Sequence, residues 1–310
     1  MSVPVLHDAR RPPVALVGAG RLGSALARRL HAAGYPVAAV ASRTEAAARA
    51  LAALLPGAEV LRPGAALPEA VRLVFCCVPD EALPSVARHL ASLEHPWAAT
   101  VVAHTSGALT AGVLAPLVER GAAAMSFHPV QAFPPSADPS VFEGIVIGLE
   151  GAARAVALGR EVARDLGARP VELAATDKAR YHLAASVASN FFVTLMALAG
   201  EVLGSIGLSR SESAALLRPL VEGTWHNLRE GLPEDVLTGP IVRGDAATIE
   251  RHVQALAEHL PHLLPVYAAL ATETVRVAVR GAHLPPEEAR RLLDTLHAAV
   301  DPPPDALFDG

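Results

Sequence analysis

The stretch "VALVGAGRLGSALA" constrains this chain more than any other. A short apolar run, 14–20, leads into Gly18-x-Gly20-x-x-Gly23, and the helical run "RLGSALARRLHAAG" follows, with Gly34 placed as its C-cap. A buried strand that turns sharply into a helix needs glycine at the turn. A second glycine lets a phosphate approach the backbone, and a third lets helix and strand pack closely. The helix N-terminus then offers free N–H groups to an anion. The spacing therefore predicts a dinucleotide cradle built from Gly18, Gly20, Arg21, Leu22 and Gly23.

The same alternation continues to about residue 174. Strand-like runs "YPVAAVASR", "VRLVFCCVPD", "ATVVAHTSG", "AAAMSFHPVQ", "GIVIGLE" and "RPVELA" are separated by helical ones, among them "TEAAARALAALLPG" with Thr44 as N-cap. Strands alternating with helices predict an α/β fold, a doubly wound and mostly parallel sheet of Rossmann type. From Thr176 onward nearly everything reads as helix, with no clear strand run. Two domains are expected: a nucleotide-binding domain over 1–174 and an all-α domain over 175–310 for substrate and dimerisation. The closing "DPPPDALFDG" reads as a loose tail.

The end of the second strand bears on which dinucleotide fits. A carboxylate there usually holds a ribose hydroxyl, whereas this chain has Ser42-Arg43-Thr44. A guanidinium flanked by hydroxyls suits a 2′-phosphate. The expected cofactor is NADP (NADPH), with Glu45 as a rival ribose ligand. Val78-Pro79-Asp80 and His104-Thr105-Ser106-Gly107 stand at carboxyl ends of strands, where an open α/β sheet places its ligand. Val78, Pro79 and Ser106 are therefore expected to line the cofactor cleft. A local turn hydrogen bond is the rival role for Ser106, and His104 reads as structural.

Composition narrows the partners. The formal net charge is -5, without basic runs, which argues against a nucleic-acid surface. Cys76 and Cys77 are adjacent on a strand and face opposite ways, so they read as two small buried residues of a reducing compartment. The N-terminal "MSVPVLHDARRPP" has no apolar signal core, and a cytoplasmic protein is expected. The run "FFVTLMALAGEVLGSIGL" is broken by Glu201 and small residues and reads as a buried helix with no membrane role. Because that helix is apolar nearly all round, through Phe191, Phe192, Leu195, Met196 and Leu198, a homodimer through the C-terminal helices is expected.

Of 26 lysines and arginines, only Lys178 is lysine. Arginine stays charged at any working pH, whereas a lysine can be tuned to give or take a proton. Thr176 is placed to cap a helix starting at Asp177. At about 100° per residue, Lys178, His182, Ala185 and Ser189 share one face, with Tyr181 and Ser186 at its edges. Such a polar seam either does chemistry or is satisfied at an interface.

A glycine-rich Rossmann domain followed by a helical domain whose first long helix opens with lysine resembles the 6-phosphogluconate dehydrogenase and β-hydroxyacid dehydrogenase superfamily. In that superfamily a Lys-x-x-x-Asn pair works on the substrate. Here "KARYH" puts His182 where asparagine is usual. "AHTSG", "SFHPVQAFP", "KARYHLAASVASN" and "LTGPIVRGD" together resemble the family that joins a Rossmann-like domain to a domain of unknown function (number 2520). "His128-Pro129" and "AHTSG" are also similar to prephenate dehydrogenases, and pyrroline-5-carboxylate reductases share the plan.

These readings converge on an NADP-dependent oxidoreductase moving a hydride to or from a small polar C=O or C=N compound. Lys178, His182 and His128 are the catalytic candidates, with Lys178 as general acid or base. Ser126 and Gln131 are expected nearby. Arg243 either binds a substrate carboxylate or belongs to a cap at Asp245, and Trp225-His226-Asn227 reads as packing. His259 and His262 lack a third ligand, so no metal is expected. A pyrroline-5-carboxylate-like imine reductase and a non-catalytic NADP-binding sensor or assembly protein are the alternatives.

Overall fold

A computed structural model describes residues 11–62, 65–134 and 138–300. The N-terminal stretch read for a signal, up to residue 10, and the tail from 301 lie outside the described residues. Contacts divide the chain into two compact units, Met1–Asn190 and Phe191–Gly310.

The first unit is one eight-stranded sheet in the order β3-β2-β1-β4-β5-β6-β7-β8. The strands are β1 Val14–Val17, β2 Val37–Ala41, β3 Glu59–Leu61, β4 Leu73–Cys76, β5 Val101–His104, β6 Ala123–Pro129, β7 Val146–Gly151 and β8 Arg169–Glu172. All neighbours pair in parallel except β6 with β7. The helices are α1 Arg21–Ala32, α2 Glu45–Ala52, α3 Leu83–Ala91, α4 Ala115–Val118, α5 Ala153–Asp165 and α6 Lys178–Ser186.

Strand alternation sorts the core into two layers. Val14, Leu16, Leu73, Phe75, Val101, Ala103, Met125 and Phe127 face one side, where α1 and α5 bring Leu26, Leu30 and Val162. Ala15, Val74, Cys76, Val102 and Ala124 face the other, where α3 and α4 bring Leu83, Ala87, Leu90 and Leu117. A sheet covered on both faces explains why its strands read as unbroken apolar runs.

The second unit is helical: α7 Phe192–Ser205, α8 Arg210–Glu230, α9 Pro233–Val236, α10 Ala246–His259, α11 Leu264–Arg280 and α12 Pro286–Val300. Ser209 and Glu212 form a capping box on α8. Asp245 caps α10 by accepting the Thr248 N–H at 3.1 Å, which is the capping role weighed for the Arg243–Asp245 segment. Ile249, Val275, Leu292 and Leu296 form the core of this unit.

The sequence reading needs three corrections. The short edge strand β3 was not legible, because only Glu59–Leu61 pair and none of them is buried. Thr176 does not cap a helix at Asp177; a 3₁₀ turn, Ala175–Asp177, leads into α6 at Lys178. The apolar helix is not buried within the chain. The helical run Ala175–Ser205 is long and apolar enough to cross a membrane by length and composition, and none of its apolar window is buried. A π-helical turn, Val187–Phe191, also interrupts its register.

Phe75 and Phe127 meet edge-to-face at 5.2 Å, fully buried beneath the sheet. Phe75→Ala is expected to cost about 3–5 kcal/mol. Urea unfolding checks this as a lowered midpoint at unchanged slope.

Candidate functional site

The glycine loop bridges the ends of β1 and β4, the neighbours from which the sheet winds in opposite directions. Gly18 has φ +109°, and a Cβ there would strike the Cys77 carbonyl. A Cβ on Gly23 would strike the Gly18 carbonyl and lie 3.0 Å from the Cys77 side chain. Gly20 is different: it is exposed, and a Cβ there would meet nothing. The three glycines thus divide the work as the spacing predicts: turn, open approach, and helix–strand contact. Gly20 caps α1 without any side-chain bond, so the first N–H groups of Arg21, Leu22 and Gly23 are not capped by a side chain. This cradle fits a pyrophosphate.

Ser42, Arg43 and Thr44 follow β2 directly, with Arg43 exposed. Glu45, the rival ribose ligand, is tied to Arg49 at 2.6 Å one turn along α2. Val78 is half-buried and Pro79 exposed just past β4. Cys76 and Cys77 sit beside the loop, and burial pushes the Cys76 thiol up to about 12 and the Cys77 thiol higher still.

Lys178 is 1% exposed, at the first residue of α6. Its Nζ donates to Ser126 Oγ at 2.7 Å and to the Ser106 carbonyl at 3.2 Å. Ser126 in turn donates to the same carbonyl at 3.2 Å. The amine thus stands at the carboxyl end of β5, level with the middle of β6. Its third N–H has no hydrogen-bond partner among the described residues. Burial lowers the amine to about 8, against an upward pull from Glu150 and Asp80.

Ser106 uses its hydroxyl locally. It donates to Asp80 at 2.8 Å and accepts from the N–H groups of Ala108 and Leu109. That is the turn-bonding role weighed for it; its carbonyl is what meets Lys178. His104 is structural by geometry: Nδ1 accepts the Ser106 N–H, so Nε2 donates to the Thr110 carbonyl at 3.1 Å. Glu150 is buried and accepts the Ala111 N–H at 2.7 Å.

The two histidine candidates converge. His128 on β6 and His182 on α6 have ring centres 6.0 Å apart. A Cβ on Gly107 would lie 2.7 Å from His128 Nε2 and 2.5 Å from His182 Nδ1. Only glycine leaves room for both rings at this turn. Burial first, then the Lys178 charge, hold His128 down to about 4. Tyr181, one turn after Lys178, lies 3.0 Å through its hydroxyl from His128 Nδ1. Gln131 is exposed and accepts the Ala132 N–H.

Lys178, His182 and His128 are therefore brought together in the first unit, with Ser106 and Ser126. Sequence reasoning left Tyr181 at the edge of the seam and missed Gly148 and Glu150. The glycine inside "GIVIGLE" was the available signal, since glycine within a strand marks a close approach; Glu150 carried none. No group of three His, Cys, Asp or Glu suited to a metal occurs among the described residues.

Residues 4–129 match the model of a Rossmann-like domain, and residues 145–274 match a domain of unknown function (DUF2520). No curated protein matches the sequence. Among solved structures, a candidate NADP oxidoreductase from Bacteroides fragilis is 26% identical, with a TM-score of 0.70 over 86% of this chain and 99% of its own. A protein from Thermotoga maritima is 27% identical, with a TM-score of 0.69 over 86% and 98%. A reductive aminase from Aspergillus terreus, solved with NADPH and ethyl levulinate, shares the fold at 20% identity, with a TM-score of 0.61 over 91% and 98%. The lysine cluster draws Ser106 and Ser126 from the first matched segment and Lys178, Tyr181 and His182 from the second. Residues 4–129 and 145–274 thus match a Rossmann-like domain and a DUF2520 domain, in the order that the chain's motifs resemble.

Proposed function

We propose that this protein is a cytoplasmic, NADP(H)-dependent oxidoreductase acting on a small polar C=O or C=N compound, with Lys178 as its general acid or base. The observation that carries the reading is the buried amine at the end of β5, held by Ser126 and the Ser106 carbonyl, with its third N–H unspent among the described residues. The cofactor reading is supported by the uncapped cradle at Gly18, Gly20 and Gly23, by Arg43 after β2, and by relatives that are NADP oxidoreductases. When bound, the nicotinamide supplies or takes up the hydride.

In this reading the α1 N–H groups hold the pyrophosphate, and Arg43 with Ser42 and Thr44 holds a 2′-phosphate. Ser126 and the Ser106 carbonyl fix two N–H bonds of Lys178, which aims the third at the substrate heteroatom. His128 and His182 orient that atom. A neutral amine accepts its proton in the oxidative direction; an ammonium donates one in the reductive direction. A C=N substrate of the pyrroline-5-carboxylate kind is the second enzymatic reading, favoured by the fold shared with a reductive aminase. A sensor that binds NADPH without consuming it would leave the reduced-nicotinamide absorbance unchanged over a panel of keto acids, semialdehydes and cyclic imines.

Lys178→Met is expected to lower turnover by about 10²–10⁴ while NADPH affinity stays nearly constant, measured by absorbance and by cofactor titration. The pH profile gives the sign. In the reductive direction the ammonium is the working form, so the rate falls as pH rises through about 8. In the oxidative direction it rises through the same region. Lys178→Met should lack this limb in both directions; a wild-type profile flat across that region would refute the assignment.

Arg43→Ala is expected to weaken NADPH about tenfold or more and to leave NADH binding nearly unchanged. Equal losses for both cofactors would remove Arg43 from the 2′-phosphate.

The second part of the proposal is a homodimer through the C-terminal helices. Phe191, Phe192, Val193 and Ile206 on or beside α7, with Leu220 and Trp225 on α8, are exposed large apolar side chains. A second copy covering them is the simplest occupant. Sedimentation should give twice the chain mass for the wild type and a single chain mass for Leu220→Glu with Trp225→Glu. A monomeric wild type would overturn this part.

A further inference from the structure

We propose that Tyr181 is a positioning residue: its hydroxyl donates to His128 Nδ1 and holds that imidazole in the Nε2–H form, so His128 meets substrate as a hydrogen-bond donor. The argument begins with a glycine. Gly148 on β7 pairs directly with His128 on β6. A Cβ on Gly148 would collide with the Tyr181 oxygen, so the missing side chain is what admits the phenol beside the imidazole. The phenol ring stands nearly perpendicular to the imidazole, 85° between planes, with ring centres 5.5 Å apart.

The direction of the bond follows from what surrounds the oxygen. Burial holds Tyr181 up to about 12, so the phenol keeps its proton at neutral pH. Its hydrogen-bond partner among the described residues is His128 Nδ1, 3.0 Å away; were Nδ1 to donate instead, the phenol proton would have no acceptor there, so the hydroxyl donates. A neutral imidazole carries one N–H, and an accepting Nδ1 puts it on Nε2.

Nε2 is the atom turned toward Gly107. There it shares the turn with His182 Nδ1, which is buried and has no hydrogen-bond partner among the described residues. Ser106, whose carbonyl holds Lys178, is the residue before. A donor from His128 and an unspent nitrogen of His182 therefore flank the backbone next to the working amine. His128 is then the group that grips an acceptor atom, a carbonyl or carboxylate oxygen or an imine nitrogen, while Lys178 moves the proton. The choice of acceptor rests on the oxidoreductase reading above; the tautomer does not.

The test uses the whole protein labelled with ¹⁵N-histidine at neutral pH, with the His128 ring signals assigned by their loss in His128→Gln. The wild type should show a protonated Nε2 and an unprotonated Nδ1 shifted by an accepted hydrogen bond. In Tyr181→Phe the Nδ1 signal should move toward that of a free ring nitrogen. A substrate found by the panel above should then turn over about 10–100-fold more slowly in Tyr181→Phe, with the KM for NADPH unchanged.

A protonated Nδ1 in the wild type overturns the proposal, as does an Nδ1 signal unmoved in Tyr181→Phe. If the variant does not fold, the wild-type spectrum still decides. If no substrate is ever consumed, the oxidoreductase reading fails while the spectra stand. If turnover is intact but the spectra disagree, only the role of Tyr181 fails.

Discussion

Burying one ammonium is the constraint around which the first unit is arranged. Taking such a charge out of water costs several kcal/mol unless hydrogen bonds and opposite charges replace the solvent. Lys178 obtains both: the Ser126 hydroxyl and the Ser106 carbonyl as acceptors, and Glu150 and Asp80 as the nearby negative charges. Those four residues come from β6, the turn after β5, the end of β7 and the turn after β4. The amine therefore ties the start of α6 to the ends of several strands. It also explains why contacts extend the sheet unit to Asn190, whereas a change of sequence texture at 174 placed the expected boundary earlier.

What the sequence revealed and concealed follows from the range of the forces involved. The glycine loop was readable because its constraints act between near neighbours: a turn, a helix start, a strand end. The strands were readable for the same reason, as short unbroken apolar runs between helical ones. The site was half readable. Lys178 stood out by composition, and His182 by its place one turn later on the same helix. His128 could be named from its motif. That the two imidazoles would close on Gly107 depends on β5, β6 and α6 meeting, which no local pattern encodes.

The failures have physical causes too. β3 pairs through three residues at a sheet edge, too few to leave a period in the sequence. Thr176 had the right chemistry for a cap, but a 3₁₀ turn delivers the chain into α6 without it. The apolar helix was expected to be covered because greasy surface is costly in water. Within this chain its apolar window stays open, because apolar periodicity does not distinguish cover by the same chain from cover by another.

The adjacent thiols beneath the glycine loop carry one more consequence. Cys76 is buried and Cys77 half-buried, and burial raises both thiols above their ordinary range. Nucleophilic attack by sulfur requires the thiolate. The buried Cys76 thiol should therefore react slowly with alkylating agents at neutral pH, although its strand runs up to the nucleotide cradle.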